Sequence, residues 1–241
     1  MKDQRKINNK RFLFLILILF STSSISLRAL KKVNIQDIRI SGSALFTQND
    51  LVNNSSLKLP IRLIFIKTNF LENELKRNLS LKNVLVSRQI LPFGLKVYVK
   101  TRIPVAYGER ILNNKKVFGF IDKDGVFIDK QNADNTNLSK KTVKVFGWKD
   151  KFKKILSEIL IAQENYEFEL VKITFSPNGF LSLEEKDLKT IFLGFNPNLI
   201  EDQLQIIDNL KNEFKKNNFP KKIRNIDITD PNKPKIKVFK P

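Results

Sequence analysis

The chain has 241 residues, a formal net charge of +20, and neither cysteine nor histidine. Lack of cysteine excludes disulfides, zinc–thiolate centres and thiol nucleophiles, and lack of histidine excludes the Ser-His-Asp triad, the Cys-His pair and imidazole metal ligands. The remaining carboxylates, lysines and hydroxyls are scattered, with no spacing such as Ser-x-x-Lys, so no enzyme is expected and no catalytic, cofactor-binding or metal-binding residue is assigned.

The positive charge invites a nucleic-acid reading, which its make-up argues against. Of 44 basic residues, 34 are lysine, spread along the chain among Asn and Ile. Arginine, with its planar fork, is the better reader of bases and phosphates. A solvated lysine surface is the expectation, and no nucleic-acid partner.

At the N-terminus Lys2, Arg5, Lys6, Lys10 and Arg11 stand against the single acid Asp3, ahead of the apolar run Phe12–Phe20. Positive charge stays on the cytoplasmic side of a bilayer. Residues 1–11 are therefore expected as a cytoplasmic tip, 12–30 as a transmembrane anchor, and the rest as extracytoplasmic. Phe12 to Leu27 gives about 24 Å of helix against a hydrocarbon core of about 30 Å. Spanning would need a thinned bilayer, with Arg11 and Arg28 reaching outward. The alternative is a cleaved signal peptide, for which Ser21–Ser24 supplies small residues near a cleavage point.

Next, Val33–Ile40 alternates apolar and polar residues with a shift of phase before Ile38, as in a bulged strand, and Ser41-Gly42-Ser43 ends it. Thr47 with Asp50 three residues later reads as the start of a short helix. A second helix follows Thr68, with Leu71, Leu75 and Leu79 on one face and Glu72–Lys76 as an i, i+4 pair. Val84–Ile90 is a strand, Leu91-Pro92-Phe93-Gly94 a turn, and Leu95, Val97 and Val99 alternate with lysine and tyrosine in a further strand. Strand, helix, helix, strand, strand makes a compact α+β unit whose leucine stripe covers a small sheet.

These residues carry a resemblance. The segment from Ile35 to Tyr107 resembles a POTRA domain, and more narrowly that of the bacterial cell-division family FtsQ/DivIB. The matching pieces are Ile38-Arg39-Ile40-Ser41-Gly42, Val84-Leu85-Val86-Ser87-Arg88 with Leu91-Pro92, and Leu95 to Thr101 followed by Arg102-Ile103-Pro104-Val105-Ala106. Thr101 replaces the acid usual before that arginine, and Leu81-Lys82-Asn83 replaces a proline-containing approach to the second strand. The implied boundaries are a POTRA domain (βααββ) at 33–104 and an FtsQ-type β domain with packed helices at 105–241.

In the second unit, Val117–Ile128 resembles the family's strand-turn-strand signature and reads as a hairpin around Asp124-Gly125. Asp122-x-Asp124-Gly125 echoes part of a calcium loop, but the later oxygen ligands and the bidentate glutamate are missing. Val145-Phe146-Gly147-Trp148 leads into a helix bearing Phe152, Ile155, Leu156, Ile159 and Leu160. Three strands follow, at Leu170–Phe175, Phe180–Leu183 and Thr190–Gly194, with Asn178-Gly179 as a turn. A helix from Leu199 to Lys216 buries Ile200, Leu204, Ile207, Leu210 and Phe214.

The chain closes with Ile226–Asp230 as a strand, Pro231–Pro234 as a turn and Lys235–Phe239 as a last strand. An exposed edge offers unpaired N–H and C=O groups to an incoming strand, while edge lysines are also a common guard against such pairing. The resemblance implies that the second domain's C-terminal strands bind an FtsB/DivIC-like coiled-coil protein and its FtsL-like companion. It gives Thr229, Asp230, Lys235, Ile236, Lys237, Val238 and Phe239 as partner-binding residues. It further implies that the POTRA domain contacts upstream membrane division proteins, and that the whole is a single-pass, non-catalytic scaffold of the plasma membrane at the septum. A secreted or membrane-anchored POTRA protein acting as a polypeptide-transport chaperone is the alternative.

Overall fold

The computed structural model describes residues 13–14, 30–133, 142–166, 169–216 and 223–239; the expected tip at 1–11 and nearly all of the anchor at 12–30 lie outside them. Among the described residues no helix is long and apolar enough to cross a membrane. The chain is mixed α+β and divides into two compact units, Met1–Thr101 and Arg102–Pro241.

In the first unit, β2 (Ile38–Ser41) runs parallel to β5 (Phe93–Lys100), which pairs antiparallel with β4 (Asn83–Ile90). Two helices, α1 (Gln48–Asn53) and α2 (Thr68–Asn78), complete the unit. Leu71, Leu75 and Leu79 are buried with Val84, Val86, Leu95, Val97 and Val99 in one apolar cluster. The period-two pattern of the strands and the i, i+4 pattern of α2 thus meet across a single interface. At the start of α1, Thr47 and Asp50 form the expected reciprocal box: Thr47 N–H donates to Asp50 Oδ2 at 2.8 Å and Asp50 N–H to Thr47 Oγ1 at 3.2 Å.

Three local readings change. The phase shift in Val33–Ile40 is not a bulge but a one-turn 3₁₀ segment, Ile35–Asp37, closed by Asn34 N–H donating to Asp37 Oδ2 at 2.8 Å. It separates β2 from a two-residue strand, β1 (Lys32–Val33), which pairs with β3 (Ile61–Arg62). Glu72 does not look to Lys76; its Oε1 accepts the Val86 N–H at 2.7 Å and ties α2 to β4. Gly94 lies inside β5 rather than in the turn, at φ +134°, where a Cβ would stand 2.0 Å from the Asp37 carbonyl oxygen. Close backbone approach, not reversal of the chain, requires glycine there.

The second unit is one nine-stranded sheet. Its strands are β6 (Pro104–Leu112), β7 (Lys115–Asp122), β8 (Phe127–Asp129), β9 (Val143–Trp148), β10 (Leu170–Phe175), β11 (Leu181–Glu185), β12 (Lys189–Gly194), β13 (Ile223–Asp227) and β14 (Lys235–Val238). Their spatial order is β14-β13-β12-β11-β10-β9-β6-β7-β8. Of its three parallel pairs, β6–β9, β9–β10 and β12–β13, the last two are bridged by α3 (Lys153–Asn165) and α4 (Ile200–Lys216), as parallel neighbours require a crossover. Leu156, Ile159, Leu160, Ile200, Leu204 and Ile207 of these helices share a buried cluster with Ile173, Leu183, Ile191 and Ile226 of the strands.

Around Asp124-Gly125 the chain makes a wider turn than a two-residue hairpin, four residues long between β7 and β8. The Asp122 carboxylate organises it: Oδ1 accepts from Asp124 N–H at 3.0 Å and Val126 N–H at 2.9 Å. Arg102 Nη1 pairs with both Asp122 and Asp124. The Trp148 indole N–H donates to the Gly125 carbonyl at 2.9 Å.

Candidate protein-binding edge

β14 ends the nine-stranded sheet, pairing antiparallel with β13, and Lys235, Ile236, Lys237 and Val238 are all exposed. The other end of the sheet is less open, because Phe127 and Ile128 of β8 are buried. An edge strand has one flank of backbone donors and acceptors turned outward without a ladder partner.

Register gives the two faces of β14 different chemistry. Ile236 stands opposite Ile226 and Val238 opposite Ile223, both of which belong to the core beneath the helices. The buried row therefore continues outward from Ile226 at 0% exposure to Ile236 and Val238, each at 39%. Lys235 stands opposite Asp227 and Lys237 opposite Asn225, on the other face. A strand added about 4.8 Å beyond β14 would lay its alternate apolar side chains beside Ile236 and Val238. Its remaining side chains would fall beside Lys235 and Lys237, where acids fit best.

The expected strand at Ile226–Asp230 is shifted back to Ile223–Asp227, and Thr229 and Asp230 fall in the connection to β14. Asp227 captures this connection: its Oδ1 accepts the Thr229 hydroxyl at 2.7 Å and the Thr229 N–H at 3.1 Å. Those two bonds, with Lys235 and Lys237 nearby, hold the Asp227 carboxyl below its usual range. Asp230 continues the turn, its Oδ1 accepting Asn232 N–H at 3.0 Å and its carbonyl accepting Lys233 N–H at 3.0 Å. Thr229 and Asp230 thus set the path into β14, while Lys235–Val238 form its edge and Phe239, 55% exposed, lies just beyond.

Two supporting groups went unread in the sequence. Gln203 of α4 is fully buried, and its Nε2 donates to the carbonyls of Leu193 and Ile228, each at 2.8 Å. It fastens the ends of β12 and β13 to the helix, and no local pattern marks a lone glutamine for this. Asp227 was overlooked as a turn residue, although the spacing Asp227-x-Thr229 is that of an Asx turn.

Residues 33–102 match the family model described as POTRA domain, FtsQ-type. Over 108 residues, 44% of this chain, the sequence is 29% identical to the cell division protein DivIB of Clostridium acetobutylicum. That match covers 41% of the relative's length, and it is longer than the domain match itself. The chain thus carries an FtsQ-type POTRA domain at residues 33–102 and, over a longer stretch, is similar to a DivIB cell division protein.

Proposed function

We propose that the protein is a non-catalytic scaffold of bacterial cell division that accepts a strand from a partner protein at β14. The carrying observation is the edge itself, an unpaired flank with Ile236 and Val238 prolonging the core row and Lys235 and Lys237 on the opposite face. A partner segment of alternating apolar and acidic residues fits this surface. A segment of an FtsB/DivIC-like protein, paired with an FtsL-like one, is the division component we assign to it. Residues 1–11 lie in the cytoplasm in this reading, 12–30 anchor the chain in the plasma membrane, and 33–104 contact upstream membrane division proteins. Residues 105–241 work outside the membrane, at the septum. The FtsQ-type POTRA domain and the likeness to a cell division protein support the division role. The absence of histidine and cysteine from the sequence supports a role without catalysis.

The test is calorimetric titration of the full chain, in detergent micelles, with the C-terminal segment of the organism's FtsB-like protein. Ile236→Pro and Lys237→Pro run in parallel. Neighbouring residues of an edge strand alternate between bonding inward and facing outward. One proline therefore removes an outward N–H and lowers affinity with an unchanged melting curve, whereas the other breaks the β13–β14 ladder. Binding at parental strength by both folded variants would exclude strand addition here.

A further inference from the structure

In the first unit, the entry of the chain and an exposed aromatic pair share one edge. Lys32 pairs with Arg62 in the β1–β3 ladder, and Leu63 N–H donates to the Lys31 carbonyl at 3.2 Å. Lys31 is thereby held beside Leu63, and the next two residues, Ile64 and Phe65, are 49% and 62% exposed. Phe70, in the first turn of α2, is 55% exposed. Phe65 and Phe70 line the same shallow groove, of about 330 Å³, with Lys58 and Lys67 among the residues around it.

These phenyl rings do not serve the fold, because the core of this segment is already supplied by Leu63, Ile66 and Leu71, which are buried. An exposed apolar group of this kind marks a contact surface. Lys58 and Lys67 line the groove and are exposed, and Lys31, Lys32 and Arg62 are exposed along the adjoining β1–β3 edge, with Lys31 Nζ 5.1 Å from the Phe93 ring centre. Glu74, which reaches the groove through Ser56, is occupied by the Ser56 N–H at 2.9 Å and the Ser56 hydroxyl at 2.8 Å. The surface is therefore aromatic at its centre and cationic at its rim.

Chain length selects the occupant. Only three residues, Arg28, Ala29 and Leu30, separate Leu27, the end of the apolar N-terminal stretch, from Lys31. The four steps from Leu27 to Lys31 reach at most about 14 Å, and the headgroup layer is about 5–8 Å deep. Wherever the apolar stretch lies in a bilayer, the β1–β3 edge is tethered at its surface.

We propose that the Phe65–Phe70 groove rests on the outer surface of that membrane, with the rings in the interfacial layer and the five cations among anionic headgroups. This inference rests on the membrane-anchor reading. It adds a lipid contact that sets how the first unit stands on the bilayer.

The chain has no cysteine, so one introduced cysteine takes a nitroxide label without background. Asn69→Cys places the label at an exposed position of α2 next to Phe70 in the chain, and Leu85→Cys, at an exposed position of β4, serves as control. The full chain is reconstituted into vesicles of mixed zwitterionic and anionic phospholipid. Alkaline carbonate washing tests the anchor, and collision of the label with oxygen against a water-soluble nickel chelate tests the docking. The expected result is a chain that resists washing, with label 69 oxygen-exposed and chelate-protected and label 85 fully chelate-accessible. Phe65→Ser with Phe70→Ser, or vesicles without anionic lipid, should return label 69 to water while the chain stays bound. A retained chain with equally accessible labels overturns the docking and leaves the anchor standing. Protection of label 69 from both colliders shows a protein contact and overturns lipid docking. A chain that washes off refutes the anchor, and the docking with it.

Discussion

Replacing Lys211 by methionine should strand a buried carboxylate. Lys211 Nζ lies 2.6 Å from Glu185 Oε1, with the two side chains 7% and 0% exposed. Glu185, the last residue of β11, also accepts N–H groups from Asp187 at 2.7 Å, Leu188 at 2.8 Å and Glu169 at 3.2 Å. Burial pushes this carboxyl up, but the Lys211 ammonium and the three N–H donors outweigh it and hold the group below 4.5. Deleting one partner of a buried pair costs about 3–5 kcal/mol, and with three donors remaining we expect about 3 kcal/mol. For a unit of this size, that is a fall of about 6–12 °C in Tm. The single tryptophan, Trp148, is buried in the same unit, so its fluorescence follows this transition. In the parent the depressed Glu185 contributes stability above its unfolded value, lost as pH falls through its folded value. In Lys211→Met the ammonium's lowering effect is lost, so the carboxyl takes up its proton at a higher pH than in the parent. The gap between parent and variant should therefore narrow as pH falls through the variant's higher value. Lys211→Met with Glu185→Gln should regain most of the loss, since no charge is buried and the amide oxygen still accepts from the turn. A Tm within about 2 °C of the parent at neutral pH, or a gap that does not change with pH, would refute the reasoning.

Gly147→Ala should destabilise the second unit by more than about 1 kcal/mol in urea. Its φ is +71° and the added Cβ would meet the Phe175 carbonyl oxygen at 2.0 Å. Leu75→Ala, at a fully buried site of α2, should cost about 2–5 kcal/mol, read as a lower midpoint of the first unit by circular dichroism. Asp227→Asn should speed hydrogen exchange at the Thr229 amide by weakening its acceptor, with little change in overall Tm. In the parent the protection of that amide, its exchange rate relative to an unfolded peptide at the same pH, should fall as pH falls through the depressed Asp227 value, because the carboxylate is the acceptor. Slow exchange in the variant would show that the turn is held by other groups.

The elements that could be read from the sequence are those whose own periodicity points to one face. The α2 leucines, the alternation of Leu95, Val97 and Val99, the Thr47–Asp50 box and the stripe of α4 all meet the partners their spacing implies. The pieces misread are those where a short polar contact interrupts the pattern. Asp37 closes a 3₁₀ turn that looked like a bulge, and Asp122 widens a turn that looked like a two-residue hairpin. β6 went unread because Pro104–Leu112 mixes exposed apolar with polar residues, and only β7 and β9 on either side make it a strand.

The partner edge divides the same way. From the sequence alone come a last strand at Lys235–Phe239, the alternation of lysine with Ile236 and Val238, and a chain without the residues of common catalytic sites. Strand order, which makes β14 an end of the sheet, and register, which sets Ile236 against Ile226, are tertiary facts. The same holds for the Lys211–Glu185 pair and for Gln203 spanning two strand ends, contacts made across 26, 10 and 25 residues of chain. Period-two and period-3.6 patterns are properties of neighbouring residues and can be read along the chain. Which strand lies outermost, and which charge is buried against which, depends on contacts between distant residues that form only when the sheet closes over its helices.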